Sequence, residues 1–269
     1  MPVRLEALAR ELELEAELAA RASRESLPAF SELVFGLTPP LHIRPLIEAL
    51  EAIEARVISR LLVILPPGHA KSTYCSIVFP AWYVGRHRDH HLIGISTTDK
   101  LAGTFGDTVR EVIETSIDYR RVFPEAEPDW GRGWSQDGFF VKRPWAPFDK
   151  DPTGVYVGAG GSIIGRRAEG LLIDDPIDEP VARSDTLLEQ RKTWLKRSSR
   201  SRLKPGGFIV CSGTLWVEDD VVDSYEKSGD FVTIRMQARS ASNLVYAEVS
   251  IPESVEWRPT GWQEGRHER

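Results

Sequence analysis

An uninterrupted aliphatic run at Leu61–Leu65 limits the fold of this chain more than any other feature of its sequence. Such a run is expected of a strand that is buried on both faces of a parallel sheet. The run stops at Pro66-Pro67-Gly68, and a helical pattern begins at Lys71. A buried strand, a tight loop and a helix in this order are the geometry that a phosphate-binding loop requires.

Further aliphatic segments alternate with helical patterns along the rest of the chain. Strands are predicted at His91–Ser96, Gly154–Ala159, Glu169–Asp174 and Gly207–Ser212, and helices at Asp99–Thr115 and Ser184–Arg202. The segment Pro124–Pro152 is rich in Pro, Gly and Trp, and an irregular or hairpin insertion is expected there. Because parallel strands need crossover connections, the alternation predicts an α/β fold with a central, mostly parallel sheet flanked by helices.

The two ends of the chain have a different pattern from its centre. Residues 1–28 are predicted to form an amphipathic N-terminal helix that ends at Pro28, because leucines recur near helical spacing among Glu and Arg. A second helix is expected at about Ile43–Arg56, inside an α/β domain that spans residues 29–245. Residues 246–269 are predicted to be a linker or tail, since they are too few for a further domain.

Composition and charge restrict the classes of function. A hydrophobic content of 41% is typical of a globular protein and excludes disorder throughout. The formal net charge of −6 argues against a protein that coats nucleic acid with its whole surface. A basic strip nevertheless extends from Arg183 to Lys204, where eight basic residues outnumber two acids. The strip is expected to be either a solvated helix face or a surface that contacts phosphates.

The segment Pro66–Thr73 matches the phosphate-loop pattern only in part. That pattern has glycine at its start and directly before its lysine, whereas this chain has Leu65 and Ala70 there. Backbone N–H groups that lead into a helix can still cradle phosphate oxygens. Lys71 can supply a charge to the β- and γ-phosphates, and the Ser72 hydroxyl can coordinate magnesium. The candidate nucleotide-binding residues are Pro67, Gly68, His69, Ala70, Lys71, Ser72 and Thr73. The alternative is a Lys-Ser pair that follows a turn by chance.

Polar residues follow two of the other predicted strands. Asp174 and Asp175 end one aliphatic strand, at the side of a parallel sheet where ligands bind. Asp174 is the candidate magnesium ligand, and Asp175 the candidate base that orients or deprotonates an attacking water. Ser212 and Thr214 follow the next strand and could hydrogen-bond the γ-phosphate. The alternatives are two acids that cap the turn at Pro176 and a plain strand-to-loop turn.

Taken together, these segments resemble the ATPase portion of the large subunit of tailed-bacteriophage terminases. That family carries a PP-x-x-x-KS loop, a G-x-x-G segment before a strand ending in DDP, an R-L-x-P-G-G turn and a T-x-W-x-x-D-D motif. This chain reads LPPGHAKST, GAGGSIIGRRAEGLLIDDP, SRLKPGGFIVCSGT and GTLWVEDDV in that order. Upstream, PPLHIRPLIEAL, which contains His42, resembles the segment that contacts the nucleotide base. The resemblance covers roughly residues 30–225.

The resemblance implies a P-loop NTPase of the ASCE type that binds ATP and Mg²⁺. It places Lys71 and Ser72 on phosphate and magnesium, Asp174 on magnesium and Asp175 as catalytic base. It also implies that the segment around Thr214 couples hydrolysis to movement. Because terminase motors work as rings, an arginine from one subunit completes the neighbour's site. Arg166 and Arg167 are the candidates, with ordinary surface arginines or DNA contacts as the alternative.

As implied by the same resemblance, the expected partners are those of a packaging motor. They are double-stranded DNA gripped without regard to sequence, a homo-oligomeric ring on the portal, and the small terminase subunit. The expected location is the host cytoplasm, with transient docking on the viral procapsid. The nuclease domain of complete large subunits is expected to be absent, since few residues follow the ATPase region. The alternatives are a helicase-like or other nucleic-acid-stimulated ATPase, and a nucleotide-binding assembly module without turnover.

Overall fold

A computed structural model describes residues 2–135, 138–144, 148–236 and 247–260. The α-helices are α1 (Pro2–Glu25), α2 (Leu27–Phe35), α3 (Arg44–Glu54), α4 (Phe79–Arg86), α5 (Asp99–Thr115), α6 (Ile117–Val122), α7 (Glu179–Ala182), α8 (Asp185–Trp194) and α9 (Val221–Lys227). The strands are β1 (Arg60–Ile64), β2 (Leu92–Ser96), β3 (Trp134–Ser135), β4 (Gly138–Phe139), β5 (Gly154–Gly158), β6 (Ala168–Asp174), β7 (Leu203–Gly213), β8 (Val232–Met236) and β9 (Ala247–Ser250). Thr73–Val78 and Leu195–Ser199 are π-helical, and Leu41–Ile43 and Arg200–Arg202 are 3₁₀-helical.

These strands form a single sheet in the order β3-β4-β5-β2-β6-β7-β1-β8-β9. The six central strands, from β5 to β8, run parallel to one another. The short strands β3 and β4 on one side and β9 on the other are antiparallel to their neighbours. The prediction of an α/β fold with a mostly parallel central sheet is therefore confirmed. Since β1, β7 and β6 are adjacent and parallel, the loops that follow them leave the same edge of the sheet.

The aliphatic strands contribute to a core on each face of the sheet. Successive side chains of β1 point to opposite faces, so Leu61 and Val63 join one hydrophobic cluster and Leu62 and Ile64 the other. The first cluster includes residues of α2–α5, and the second includes residues of α8 and α9. Burial on both faces explains why these strands read as continuous aliphatic runs.

The N-terminal helix is confirmed, but Pro28 does not have the terminating role predicted for it. Helix α1 ends at Glu25, and Ser26 caps a second helix by accepting a hydrogen bond from the Ala29 backbone N–H. Pro28 therefore lies in the first turn of α2 and does not terminate α1. Proline is tolerated there because the backbone N–H groups of a first turn have no partner within the helix. None of the described helices is both long enough and apolar enough to cross a lipid bilayer.

Two predicted boundaries after residue 180 also differ. The helix predicted at Ser184–Arg202 is α-helical only to Trp194, and π- and 3₁₀-helical turns follow it. Residues 246–269 are not all linker, because Ala247–Ser250 pair with β8 as the edge strand β9. Val255 and Trp257 then pack against the first hydrophobic cluster. A strand this short and this dependent on its neighbour has no distinct signal in the sequence.

A buried ionic network lies at the amino-terminal edge of the parallel strands. The His91 ring contacts Glu169 through Nδ1 at 3.1 Å and Asp149 through Nε2 at 2.9 Å. Lys204 Nζ lies 2.7 Å from Glu169 Oε1, and Arg143 Nη2 lies 2.7 Å from Asp149 Oδ2. Burial opposes ionisation of Glu169, but the hydrogen bonds from His91 and Lys204 outweigh it and lower its pKa to about 2. The network ties β2, β6 and β7 together at the edge opposite their carboxyl ends.

We expect Glu169→Gln to destabilise the protein most at neutral pH. The folded-state pKa lies below the ordinary 4.5, so the stabilisation by ionised Glu169 is present above pH 4.5 and is lost as the pH falls towards 2. The loss in unfolding free energy at pH 7 is about 3 kcal/mol. Urea unfolding at pH 7, 4 and 3 measures it, with the exposed Glu6→Gln as control. An equal loss at pH 7 and at pH 3 contradicts the ionic explanation.

Candidate functional site

The loop that follows β1 has a backbone suited to glycine at two positions. Gly68 has φ 80° and Ala70 has φ 59°, both in the left-handed region. Ala70 therefore adopts the conformation for which the usual pattern supplies a glycine before its lysine, at a cost of about 1–2 kcal/mol. Pro67 and Gly68 are exposed, the helix begins at Lys71, and the π-helical stretch begins at Thr73. The loop thus has left-handed backbone at two positions, of which only Gly68 is a glycine.

The loop presents backbone donors that the protein does not use. In the described part of the chain, the N–H groups of Gly68, His69 and Ala70 donate to no protein acceptor. They lie directly before the first turn of a helix, where further N–H groups lack intrahelical partners and the helix dipole favours negative charge. Backbone N–H groups arranged in this way can bind the oxygens of a phosphate.

Asp174 is buried among hydroxyl groups at the carboxyl end of β6. It is only 2% exposed, and Ser212 Oγ donates a hydrogen bond of 2.5 Å to its Oδ1. The Ser72 hydroxyl, from the loop that follows β1, also acts on this carboxylate and lowers its pKa. Burial, followed by the charge of Asp175, raises the pKa of Asp174 to about 6 despite those hydrogen bonds. The structure therefore brings Ser72 and Asp174 together as neighbouring oxygen groups.

Lys71 and Asp175 form an ion pair across the same site. Lys71 Nζ lies 2.8 Å from Asp175 Oδ2, and the lysine side chain is only 8% exposed. The other carboxylate oxygen of Asp175, Oδ1, is buried and has no hydrogen-bond partner. Its backbone has φ 39°, and its N–H donates to the Ser212 carbonyl at 2.9 Å. A strained residue with an unsatisfied buried oxygen is the kind of feature that clusters at functional sites.

His42 lies beside the phosphate loop. It belongs to the 3₁₀ turn Leu41–Ile43, and its ring centroid is 5.8 Å from that of His69. His69 is held by a contact of 3.1 Å between its Nδ1 and the Pro67 carbonyl. Burial, and then the neighbouring His69, lowers the pKa of His42. Two imidazole rings thus border the loop at the position where the sequence predicts contact with a nucleotide base.

The segment after β7 contains both candidate and structural residues. Thr214 is half-buried and follows directly on the strand that carries Ser212. Asp220 is fully buried, caps α9 and accepts the Trp216 N–H at 2.9 Å. Asp219 lies 2.7 Å from Lys192. The two acids of this motif therefore brace the loop, while Thr214 is the member nearest to the strand end.

Arg166 and Arg167 are not brought to this site. They precede β6, whereas Asp174 is its last residue. Because a strand rises about 3.3 Å per residue, the two ends of β6 are about 20 Å apart. Within one subunit these arginines lie at the opposite edge of the sheet, so only a second copy of the chain could bring one of them to Asp175.

Ser96 is a site residue that the sequence reasoning missed. It is paired with Asp174 in register, and Asp174 with Ser212, so the three side chains form a polar row across β2, β6 and β7. Ser96 Oγ is buried and has no hydrogen-bond partner. Arg191 reaches the same edge from α8, where Nη1 donates to the Thr97 carbonyl at 3.4 Å. The sequence pattern could have indicated Ser96, because Ser96 ends a predicted strand just as Ser212 does.

The chemistry of these groups fits magnesium and a polyphosphate. Among the residues that the structure describes, no group of three or more His, Cys, Asp or Glu side chains could hold a metal. Magnesium does not need one, since it is usually bound through one or two protein oxygens together with phosphates and water. Ser72 and Asp174 could provide the protein oxygens, and Lys71 with the loop N–H groups could provide the phosphate contacts.

Comparisons with known proteins supply no family for this chain. No protein-family model matches it, and no curated protein matches it significantly.

We expect Asp174→Asn to stabilise the nucleotide-free protein at pH 7.5. The folded-state pKa is raised from 3.8 to about 6, so the stability of the protonated carboxyl is complete below about 3.8 and is lost as the pH rises through 6. Asparagine cannot ionise and avoids that loss, which is roughly 1–3 kcal/mol. Thermal unfolding at pH 7.5 and 4 tests this, with exposed Glu253→Gln as control. Destabilisation at both values contradicts the prediction.

Proposed function

We propose that this chain is the ATP-hydrolysing motor domain of a terminase-type protein that drives double-stranded DNA into a viral procapsid. The observation that carries the proposal is the convergence of Lys71, Ser72, Asp174 and Asp175 at one edge of the parallel sheet. On this proposal the substrates are ATP and DNA, and the cofactor is Mg²⁺. The motor acts as a ring on the portal with the small terminase subunit, in the host cytoplasm.

The order of the strands supports the finer assignment to the ASCE class of P-loop NTPases. That class is defined by one additional strand between the strand of the phosphate loop and the strand of the acidic pair. Here β7 lies between β1 and β6 in the sheet. The strand order and the site chemistry are independent observations, since one concerns backbone pairing and the other side chains.

The ion pair suggests how nucleotide binding prepares the site for hydrolysis. In the nucleotide-free protein, Asp175 neutralises Lys71, which is buried and would otherwise be an uncompensated charge. When the β- and γ-phosphates enter, they compete for Lys71 and release the Asp175 carboxylate. The freed carboxylate can then orient the attacking water or accept its proton. Ser72 and Asp174 would hold magnesium, which would neutralise charge on the phosphates. Positioning and electrostatics are most of what phosphoryl transfer requires.

Two other functions fit parts of the site. A helicase-like ATPase would use the same loop and acids, and the resemblance of the whole motif series favours the terminase. A nucleotide-binding assembly module would need Lys71 and the loop but not Asp175. The position of Asp175 beside Lys71 favours turnover, because nucleotide binding alone does not require a carboxylate there.

Asp175→Asn separates binding from turnover. Because the amide no longer competes for Lys71, we expect Mg·ATP to bind as tightly as to the wild type or several-fold more tightly. Turnover should fall by about 10²–10⁴-fold, the usual contribution of a general base. Equilibrium nucleotide binding and phosphate release measure the two effects. Lys71→Ala is the matched control and should lose binding.

If Asp175→Asn turns over ATP at the wild-type rate, Asp175 is not the catalytic base. Unchanged binding and turnover in Lys71→Ala contradicts the whole site, provided that both variants unfold cooperatively like the wild type. Tight binding with no turnover even in the wild-type ring favours the assembly module.

An arginine acting between subunits can be tested by mixing two inactive variants. Arg166→Ala keeps its phosphate loop, and Lys71→Ala keeps its arginine, so a mixture should regain activity at the heterologous contacts. The same experiment is repeated with Arg167→Ala in place of Arg166→Ala. Wild-type activity per molecule should also rise with protein concentration. No recovery on mixing, with activity independent of concentration, contradicts a role between subunits.

A further inference from the structure

Two distant parts of the chain bring basic residues together at the amino-terminal edge of β6 and β7. Ala168 is paired with Leu203, so Arg167 and Arg202 directly precede paired positions on adjacent strands. Arg167 Nη1 also donates a hydrogen bond of 3.2 Å to the Ser201 carbonyl. Lys196 and Arg197 belong to the π-helical turn that leads into the same 3₁₀ turn, Arg200–Arg202. We call Arg167, Lys196, Arg197 and Arg202 the basic edge.

The cations of the basic edge differ from their neighbours in having no acidic partner. Within the described ranges, none of the four forms an ion pair with a carboxylate. In contrast, Lys192 pairs with Glu189 and Asp219, and Lys204 pairs with Glu169. Arg167, Lys196 and Arg197 are exposed, and Arg202 is half-buried. These four positive charges are therefore available to an external anion.

The basic edge carries four positive charges in a chain whose net charge is −6. A local patch of positive charge can bind a polyanion on one face of the protein. The negative charge of the rest of the surface repels the polyanion elsewhere. Double-stranded DNA presents about one negative charge per 1.7 Å of its axis, so several cations can be neutralised at once. Arginine and lysine contacts to phosphates carry no base information, which suits a partner that must be gripped at every position.

We propose that the basic edge binds the phosphate backbone of double-stranded DNA. The inference rests on the proposed function, because it assigns a surface to the DNA partner of that motor. The basic edge lies at the opposite end of β6 from Asp174, so DNA and nucleotide can be bound at the same time. The proposal also gives Arg167 a role in DNA contact, which does not require that residue to reach the nucleotide site of a neighbouring subunit.

The test is the salt dependence of binding to a random-sequence DNA duplex in the absence of nucleotide. A variant with Arg167→Gln, Lys196→Gln, Arg197→Gln and Arg202→Gln is compared with the wild type by fluorescence anisotropy. The slope of log affinity against log salt should become shallower by about 3–4, since each lost phosphate contact removes about 0.9. Affinity at low salt should fall by roughly ten-fold or more.

The matched control removes the same number of exposed charges elsewhere. Arg4, Arg10, Arg21 and Arg44 are exposed on α1 and α3, and their replacement by Gln should leave the slope within about one unit of the wild-type slope. An equal loss in the control shows that net charge alone is responsible and overturns the proposal. An unchanged slope in the basic-edge variant overturns it as well.

Two further outcomes separate this proposal from the others. If the wild type binds a polyglutamate peptide more tightly than DNA, and the basic edge carries that binding, the surface belongs to an acidic protein partner and the DNA assignment is wrong. Because the assay contains no nucleotide, its failure leaves the ATPase assignment intact, and that assignment is tested by Lys71→Ala. Thermal unfolding of the basic-edge variant should match the wild type, which shows that the loss of binding is not a loss of fold.

Discussion

The parallel alignment of β1, β7 and β6 is the constraint on which the rest of this structure depends. Parallel neighbours deliver their carboxyl ends to one edge, so the phosphate loop, Ser212 and the acidic pair meet although they lie far apart in the chain. A shift of β6 by one residue would turn Asp174 to the other face of the sheet. The site is therefore a consequence of register, because that register places Ser96, Asp174 and Ser212 side by side.

The candidate site contains several energetically unfavourable features. Asp174 is buried with its pKa raised to about 6, Ala70 and Asp175 have positive φ, and Ser96 Oγ and Asp175 Oδ1 lack partners. Each of these features costs free energy in the isolated protein. They occur together at the one edge where a phosphate and a cation would relieve them. That coincidence is the strongest physical reason to regard the edge as a binding site and not as ordinary turns.

The two edges of the sheet differ in how far their polar groups have hydrogen-bond or ionic partners. At the carboxyl edge the groups are under-satisfied, whereas at the amino edge His91, Glu169 and Lys204 satisfy one another closely. The satisfied network stabilises the strands beneath the site, and the free cations of the basic edge lie outside it. On the proposed function, this network would hold the sheet rigid between the nucleotide and the DNA.

From the sequence alone we predicted the α/β fold class, which the structure confirms, and proposed the residues of the candidate site. Aliphatic runs interrupted by Pro66 and by Asp174 predict buried parallel strands with polar ends, because local hydrophobicity and turn chemistry are properties of neighbouring residues. It could not show strand order, which depends on long-range pairing, and so it missed the row from Ser96 to Ser212 and the edge strand at Ala247–Ser250. The ion pair between Lys71 and Asp175 is visible only in the tertiary structure, and so is the position of Arg167 at the far end of β6. Those relations arise when separate segments pack, and no local pattern contains them.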